Sequence, residues 1–352
     1  MKIIVNAIFL SQELTGVQRF SMEISLCLKK VYGKHILFLS PINILHKELA
    51  ETLEVQTIGR SSGVLWEQVE LPLYLWKHFP HSLLINLGSG APVLYKYKIS
   101  TIHDITFLRF PHTFKKKLYL LHKCLVPLIL KTSKKILTVS EFSKREIIHT
   151  YKCNPDKIVV VYNAVNDSFK FQCNESKGNF FLAVSSIKEN KNFVSILYAY
   201  KKVHAKFPDF KLVIVGDLQS SAFNKINLQY LLEEGVECIG RISDEELQKW
   251  YSKAFCFLFP SYYEGFGIPV IEAQSCGCPV IAANSSSLPE ICGDSVLYCN
   301  PYSVDDIAAQ MEYIIQQKDL YNELVKRGFK NVARFSWDNS VKKIREVLST
   351  CL

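Results

Sequence analysis

The feature that most constrains this fold is a regular alternation of short apolar runs, rich in β-branched residues, with longer amphipathic segments. This alternation is typical of parallel strands covered by helices, because a parallel sheet is buried on both faces. It predicts an α/β protein. The predicted strands of the first half are residues 2–6, 35–40, 82–86, 100–103, 135–139 and 158–161. Those of the second half are 180–184, 211–215, 236–239, 254–259, 279–282 and 295–298, with helices at 192–206, 244–253 and 304–317.

The length predicts two domains, since 352 residues are more than one hydrophobic core usually serves. The stretch 166–179 is polar and without periodicity, so we interpret it as the linker between an N-terminal domain, 1–165, and a C-terminal domain, 180–330. Each would be a doubly wound sheet, and ligands of such sheets bind beyond the carboxyl ends of the strands.

The charge is uneven along the chain. Residues 1–170 carry 23 Lys and Arg against 12 Asp and Glu, whereas the remainder has a net charge of −2. We therefore expect the basic half to meet an anionic partner, either a membrane surface or a nucleic acid. Segment 114–131, with three lysines before an apolar run, is either a helix lying on an anionic membrane or a core helix with a solvated basic start.

No apolar run reaches the ~18 residues of a membrane span, and the apolar start of the chain is too short for a secretory signal. We expect a cytoplasmic protein, located on the inner face of the membrane if segment 114–131 does bind lipid. The eleven cysteines are scattered without metal or redox spacing and are interpreted as free thiols.

Segment 259–290 contains the highest concentration of candidate ligand-binding residues. An apolar strand ends at Phe259, a loop with Gly265 and Gly267 follows, and Pro269 begins a helix. The backbone N–H groups of such a helix start favour a phosphate. Glu264 and Glu272 flank this turn, at most ~12 Å apart along an ideal helix. That is the span between the sugar and the ribose of a nucleotide sugar; the alternative is two surface glutamates beside a structural turn.

Glu264 to Glu272 fits the E-x7-E signature of retaining glycosyltransferases, and residues 240–247 through 289–290 resemble glycosyltransferase family 4. The resemblance extends over nearly the whole chain. It implies the GT-B fold, with two Rossmann-like domains facing across a cleft. The N-terminal domain would bind the acceptor, the C-terminal domain the nucleotide sugar, and a last helix at about 331–352 would pack back on the N-terminal domain.

The resemblance also implies roles in the C-terminal domain. Glu264 would contact hydroxyls of the donor sugar, Glu272 would hold the ribose, and Lys191 would neutralise the departing diphosphate. Asn190 departs from the family, which often has arginine there, and Ser185 and Ser186 replace a glycine-containing pair. The remaining donor-binding positions are Ser261 and the backbone at Gly265, Phe266 and Gly267 around the sugar diphosphate, and Arg241 near the nucleobase.

In the N-terminal domain, Gly16 follows the first predicted strand and would face the donor phosphates. His103 matches the family's His-Asp turn, which implies a catalytic histidine at the reacting sugar. Asp104 would either orient the imidazole or bind a neighbouring loop. Segments 65–72 and 86–92 are interpreted as acceptor-side loops.

The predicted function is retaining transfer of a hexose, mannose or a deoxyhexose, from a nucleoside-diphosphate sugar to a glycan or lipid-linked acceptor in surface polysaccharide synthesis. We expect no cofactor and no metal, and direct same-face attack by the acceptor. The alternatives are a sugar-nucleotide epimerase or a phosphorylase on the same fold and, from another class, a basic nucleic-acid-binding protein.

Overall fold

The structure is a computed structural model that describes residues 2–171, 176–184, 188–216 and 234–351. The chain forms two compact units. Unit 1 comprises Met1–Arg109, Phe114–Asn163 and Ser336–Leu352, and unit 2 comprises Phe110–Thr113 and Ala164–Phe335. The chain therefore leaves unit 1 after Asn163, forms most of unit 2, and returns to unit 1 at Ser336.

Unit 1 is built on a parallel sheet in the order β3-β2-β1-β4-β5-β6-β7. Its strands are β1 Ile3–Asn6, β2 Ile36–Ser40, β3 Gln56–Thr57, β4 Leu83–Asn86, β5 Lys98–Thr101, β6 Lys135–Thr138 and β7 Ile158–Val160. Its helices are α1 Gly16–Tyr32, α2 Lys47–Thr52, α3 Gly63–Leu65, α4 Leu71–His78, α5 Thr106–Arg109, α6 Lys116–Thr132 and α7 Glu141–Tyr151. A π-helical turn, Trp66–Glu70, joins α3 to α4.

Unit 2 is built on a second parallel sheet in the order β10-β9-β8-β11-β12-β13. Its strands are β8 Phe180–Val184, β9 Lys211–Val215, β10 Val236–Gly240, β11 Cys256–Phe259, β12 Val280–Ala283 and β13 Leu297–Cys299. The described helices are α8 Phe193–His204, α9 Asp244–Lys253, α10 Ile268–Ser275, α11 Leu288–Cys292, α12 Val304–Gln316 and α13 Lys318–Val332. The last helix of the chain, α14 Trp337–Cys351, belongs to unit 1.

The central strands could be predicted from the sequence because they are buried. All residues of β1, β4, β11 and β12 are buried, so each is an uninterrupted run rather than an alternating one. Helix α9 begins with a full capping box, in which Ser243 and Glu246 satisfy each other's backbone N–H groups. The α/β prediction with two parallel sheets is confirmed.

The structure differs from the sequence prediction at the domain boundary and at the last helix. The division lies after Asn163, and Phe169 is buried in the core of unit 2, so the first part of segment 166–179 packs as part of that unit. The last helix begins at Trp337 instead of residue 331, because α13 continues to Val332 and a turn separates the two. Within the described ranges, none of the helices has the length and apolar character of a membrane span.

Candidate functional site

The loop after β11 connects a buried strand to a helix start. Residues 260–267 form the loop, and α10 begins with Ile268 and Pro269. Gly267, the N-cap of α10, has a φ of +103°, and a Cβ atom there would lie 2.7 Å from Cδ2 of Leu288. Only glycine combines this left-handed conformation with such a close approach, so the residue fixes how the loop enters the helix.

Three consecutive serines after β12 hold this loop in place. Ser285 Oγ donates to the carbonyl oxygen of Ser261 at 3.0 Å, and Ser287 Oγ donates to the carbonyls of Glu264 and Phe266, both at 3.0 Å. The backbone N–H of Glu264 donates to Ser286 Oγ at 3.0 Å. Sequence reasoning missed these serines; the available signal was a run of hydrogen-bonding residues between a buried strand and a short helix.

Lys191 and Glu264 form an ion pair at the carboxyl edge of the second sheet. Lys191 Nζ lies 2.7 and 2.9 Å from the two carboxylate oxygens, and the side chains are 19% and 11% exposed. The pair forms because β8 and β11 are neighbouring parallel strands, so the turn after one lies beside the loop after the other. An anion arriving here would meet a cation that is already positioned.

Asn190 and Asn192 connect the turn after β8 to the same loop. Asn190 is buried; its Nδ2 donates to the carbonyl of Tyr263 at 3.2 Å, and its own carbonyl accepts from Tyr262 N at 2.8 Å. Asn192 Nδ2 donates to the carbonyls of Pro260 and Pro301. The departure from arginine at position 190 therefore places a buried amide that supports the loop. Ser185 and Ser186 lie outside the described residues.

Ser261 lies in this loop, and Glu272 lies on α10, the helix that the loop enters. Both are buried, and in the described part of the chain Ser261 Oγ has no hydrogen-bond partner. Asn190 Oδ1 is a second buried polar atom in the same situation. Because buried polar atoms are nearly always satisfied, two such atoms at one loop indicate a place that a polar ligand completes.

Phe266 and Arg241 are the other predicted residues of unit 2. The Phe266 ring packs edge-on against Phe335 at 5.5 Å, so its side chain is core and only its backbone belongs to the loop with Gly265. Arg241 is exposed after β10, the edge strand, which β9 separates from β8. Two strand spacings, roughly 10 Å, therefore separate its strand from the one that leads to Lys191.

In unit 1, His103 is buried and fixed from two sides. It lies two residues beyond β5, its Nε2–H donates to the carbonyl of Leu87 at 3.0 Å, and its ring meets Phe20 of α1 edge-on at 5.0 Å. Burial lowers the pKa of His103, so the ring is neutral near pH 7, with Nδ1 as its basic nitrogen. Asp104 Oδ1 accepts from Thr106 N at 2.8 Å, which shows that it holds the next turn.

Gly16 is the first residue of α1 and is exposed. The preceding Thr15 hydrogen-bonds through its hydroxyl to Gln18, and Gln18 Nε2 donates to Gln12 Oε1 at 2.7 Å. Side chains around the start of α1 therefore already organise this loop. Gly16 shares α1 with Phe20, and through that ring the helix start is linked to His103.

Comparisons with known proteins show the family to which the chain is similar. Residues 165–331 match the family model described as glycosyl transferases group 1, and residues 78–169 match that of glycosyltransferase family 4. The chain is 30% identical over 264 residues to an Escherichia coli O-antigen chain mannosyltransferase B, covering 68% of this chain and 67% of that protein. It is 29% identical to the O-antigen chain mannosyltransferase RfbU of Salmonella typhimurium, with 96% of each chain covered.

Solved structures show the same fold. A glycosyltransferase from Rickettsia africae superposes with a TM-score of 0.74 at 19% identity, over 99% of this chain and 98% of that one. Anabaena Alr3699/HepE, solved in complex with UDP and glucose, gives a TM-score of 0.78 at 17% identity, over 99% and 100%. These matches confirm the predicted GT-B fold class.

Proposed function

This chain belongs to the group 1 glycosyl transferases, and from that premise we propose that it transfers mannose from a nucleoside-diphosphate sugar to a growing surface glycan. It is a glycosyltransferase by its similarity to the two O-antigen mannosyltransferases. The Lys191–Glu264 pair carries the proposal, because it places a cation and a carboxylate at the strand edge where a sugar diphosphate would bind.

The roles we propose in unit 2 follow the chemistry of each side chain. Lys191 exchanges its bond with Glu264 for one to the diphosphate, which leaves the carboxylate to accept hydroxyls of the donor sugar. The buried carboxylate of Glu272 accepts the ribose hydroxyls. Ser261 Oγ and the backbone of residues 265–267 bind around the sugar diphosphate, and Arg241 contributes near the base.

For the chemical step we propose retention of configuration. The bond from the anomeric carbon to the diphosphate breaks, the acceptor hydroxyl attacks on the same face, and its proton passes to the leaving phosphate. The positive charge of Lys191 and the N-terminal N–H groups of α10 stabilise the leaving group without a metal or cofactor. Gly16 contributes backbone to the phosphates, and neutral His103 positions the reacting sugar.

The acceptor that we propose is a glycan or lipid-linked glycan at the inner face of a membrane, with α6 as the contact to lipid. This helix buries Val126, Ile129 and Leu130 and leaves Leu120 and Leu128 48% and 45% exposed. Three lysines, 115–117, precede or begin it and are exposed. The helix thus combines a core face with an apolar surface beside cations.

The donor is tested by thermal unfolding with GDP, UDP, dTDP and ADP and with their sugars. One nucleotide, present at 100 times its dissociation constant, should add about 2.7 kcal/mol of stability. Glu272→Gln and Lys191→Met should lose that response. The matched control Lys249→Met, at an exposed lysine of the same unit, should keep it. Stabilisation that survives in both site variants would contradict the proposed donor site.

A further inference from the structure

The π-helical turn Trp66–Glu70 places three adjacent side chains in three different environments. Trp66 is fully buried, and its Nε1–H donates to the carbonyl of Ile58 at 2.8 Å. Gln68 Nε2 donates to the carbonyl of Ala91 at 2.8 Å. Between them, Glu67 points into the carboxyl edge of the first sheet. π turns are rare and frequently occur at functional sites, so this carboxyl needs a specific explanation.

Glu67 is a buried acid among neutral groups. It is 6% exposed, and its Oε1 accepts from Asn6 Nδ2 at 2.9 Å. The groups facing it are the amides of Asn6 on β1 and Gln68 on its own turn, together with the backbone of Gly90. Burial raises the pKa of Glu67 to about 7.

The carboxyl is linked through Asn6 to one end of the loop after β4 and lies against the other end. Asn6 Nδ2 also donates to Asn86 Oδ1 at 3.0 Å, so one amide joins Glu67 to the last residue of β4. At the other end of the loop, a Cβ atom on Gly90 would lie 2.4 Å from Glu67 Oε2. Glu67 Oε2 therefore occupies the space that the Cβ atom of any residue other than glycine would need at position 90.

Leu87 lies between these two supports, and its carbonyl is the acceptor for His103 Nε2–H. A continuous path thus runs from Glu67 through Asn6 and Asn86 to the backbone that orients the imidazole. The hydrogen bond to Leu87 keeps the proton on Nε2 and fixes the ring plane. Movement of residues 86–90 would release the ring.

We propose that Glu67 is a positioning residue for His103, which through its hydrogen bond to Asn6 holds the loop 86–90 in the arrangement that glycosyl transfer requires. Ionisation would place a charge in a desolvated position where the facing groups are two amide donors and no cation, and would loosen the loop. Transfer should therefore decline as Glu67 ionises. The inference rests on the proposed function for its kinetic consequence, but its structural part, the link from Glu67 to His103, stands on contacts within unit 1.

The kinetic experiment compares Glu67→Gln, Glu67→Ala and the control Glu48→Gln across pH 5.5–9. Glutamine imitates the neutral acid, so Glu67→Gln should keep near-wild-type kcat at pH 6 and lose the decline above pH 7. Glu67→Ala should lower kcat about tenfold or more, with the donor KM unchanged. Glu48, an exposed glutamate on α2 of the same unit, should leave the profile unaltered.

A double-mutant cycle and an NMR measurement complete the test. In a His103→Ala background, Glu67→Ala should lower kcat by a much smaller factor than it does in the wild-type background. In imidazole ¹⁵N spectra, His103 should show a single Nε2–H tautomer in the wild type and in Glu67→Gln, and exchange between tautomers in Glu67→Ala. The proposal would be overturned if kcat of Glu67→Gln declined above pH 7 as it does in the wild type. It would also be overturned if the losses of kcat caused by His103→Ala and Glu67→Ala were additive. The NMR result does not depend on transfer, so it separates failure of this inference from failure of the proposed function.

Discussion

At the scale of single residues, two buried glutamates are accommodated in different ways. Glu264 has a cation, since both of its oxygens contact Lys191. Glu67 has only amides, and burial raises its pKa to about 7. A carboxylate with a cation is ready to exchange that cation for a ligand, whereas a neutral acid serves as a fixed hydrogen-bonding support.

The stability of unit 1 should therefore depend on pH through Glu67. Its pKa rises from 4.5 to about 7 on folding, so the folded state binds this proton more tightly than the unfolded state. The resulting stabilisation is complete below pH 4.5 and is lost as the pH rises through 7. Between pH 4.5 and pH 8, the free energy of unfolding of the wild type should fall by about 3 kcal/mol more than that of Glu67→Gln. Urea unfolding at both pH values measures the difference, and parallel curves for the two proteins would refute it.

The sequence predicted those site residues whose chemistry is local to one segment. Lys191, Ser261, Glu264 and Glu272 could be named because the strand-loop-helix pattern and a family signature contain them. The supports could not be predicted in this way. Ser287 hydrogen-bonds 23 positions back to Glu264, and Asn6 reaches Glu67 over 61 positions. Such pairs depend on strand order, which a single sequence does not specify.

At the scale of elements, the buried strands were located to within about two residues, and the exceptions have physical causes. Strand β3 contains two exposed polar residues, Gln56 and Thr57, so it has no apolar run to recognise. The π turn 66–70 has no readable period of its own within a helical sequence. The break before α14 was missed because helical patterning continues through residues 333–336.

The entry into α10 provides the prediction at this scale. Gly267→Ala places a Cβ atom against Leu288 at a left-handed φ, and should cost about 1–3 kcal/mol while weakening nucleotide binding. Gly293→Ala is the matched control, because Gly293 also has a positive φ, +55°, but its added Cβ would lie 3.7 Å from Nη1 of Arg334. Thermal unfolding and nucleotide titration of both variants separate steric overlap from backbone strain. If Gly267→Ala and Gly293→Ala lost equal amounts of stability and nucleotide affinity, the overlap of the added Cβ with Leu288 would contribute nothing to the effect.

At the scale of the whole molecule, the charge asymmetry supports membrane binding. Vesicles containing phosphatidylglycerol should sediment the protein, phosphatidylcholine vesicles should not, and high salt should release it. The double variant Leu120→Glu/Leu128→Glu should lose binding. Tyr198→Glu, at an equally exposed apolar side chain of unit 2, should retain it. Equal sedimentation with both lipids, or no effect of the leucine substitutions, would contradict the role of α6.

The path of the chain through the two units has a consequence for synthesis on the ribosome. Nearly all of unit 2 is one contiguous stretch, Ala164–Phe335, whereas unit 1 includes α14, with Ser340 Oγ donating to the carbonyl of Tyr162 and Phe20 contacting Trp337. The unit whose translation begins first is therefore the last to be completed. Until Trp337–Cys351 leaves the exit tunnel, the part of α1 that packs against this helix stays uncovered.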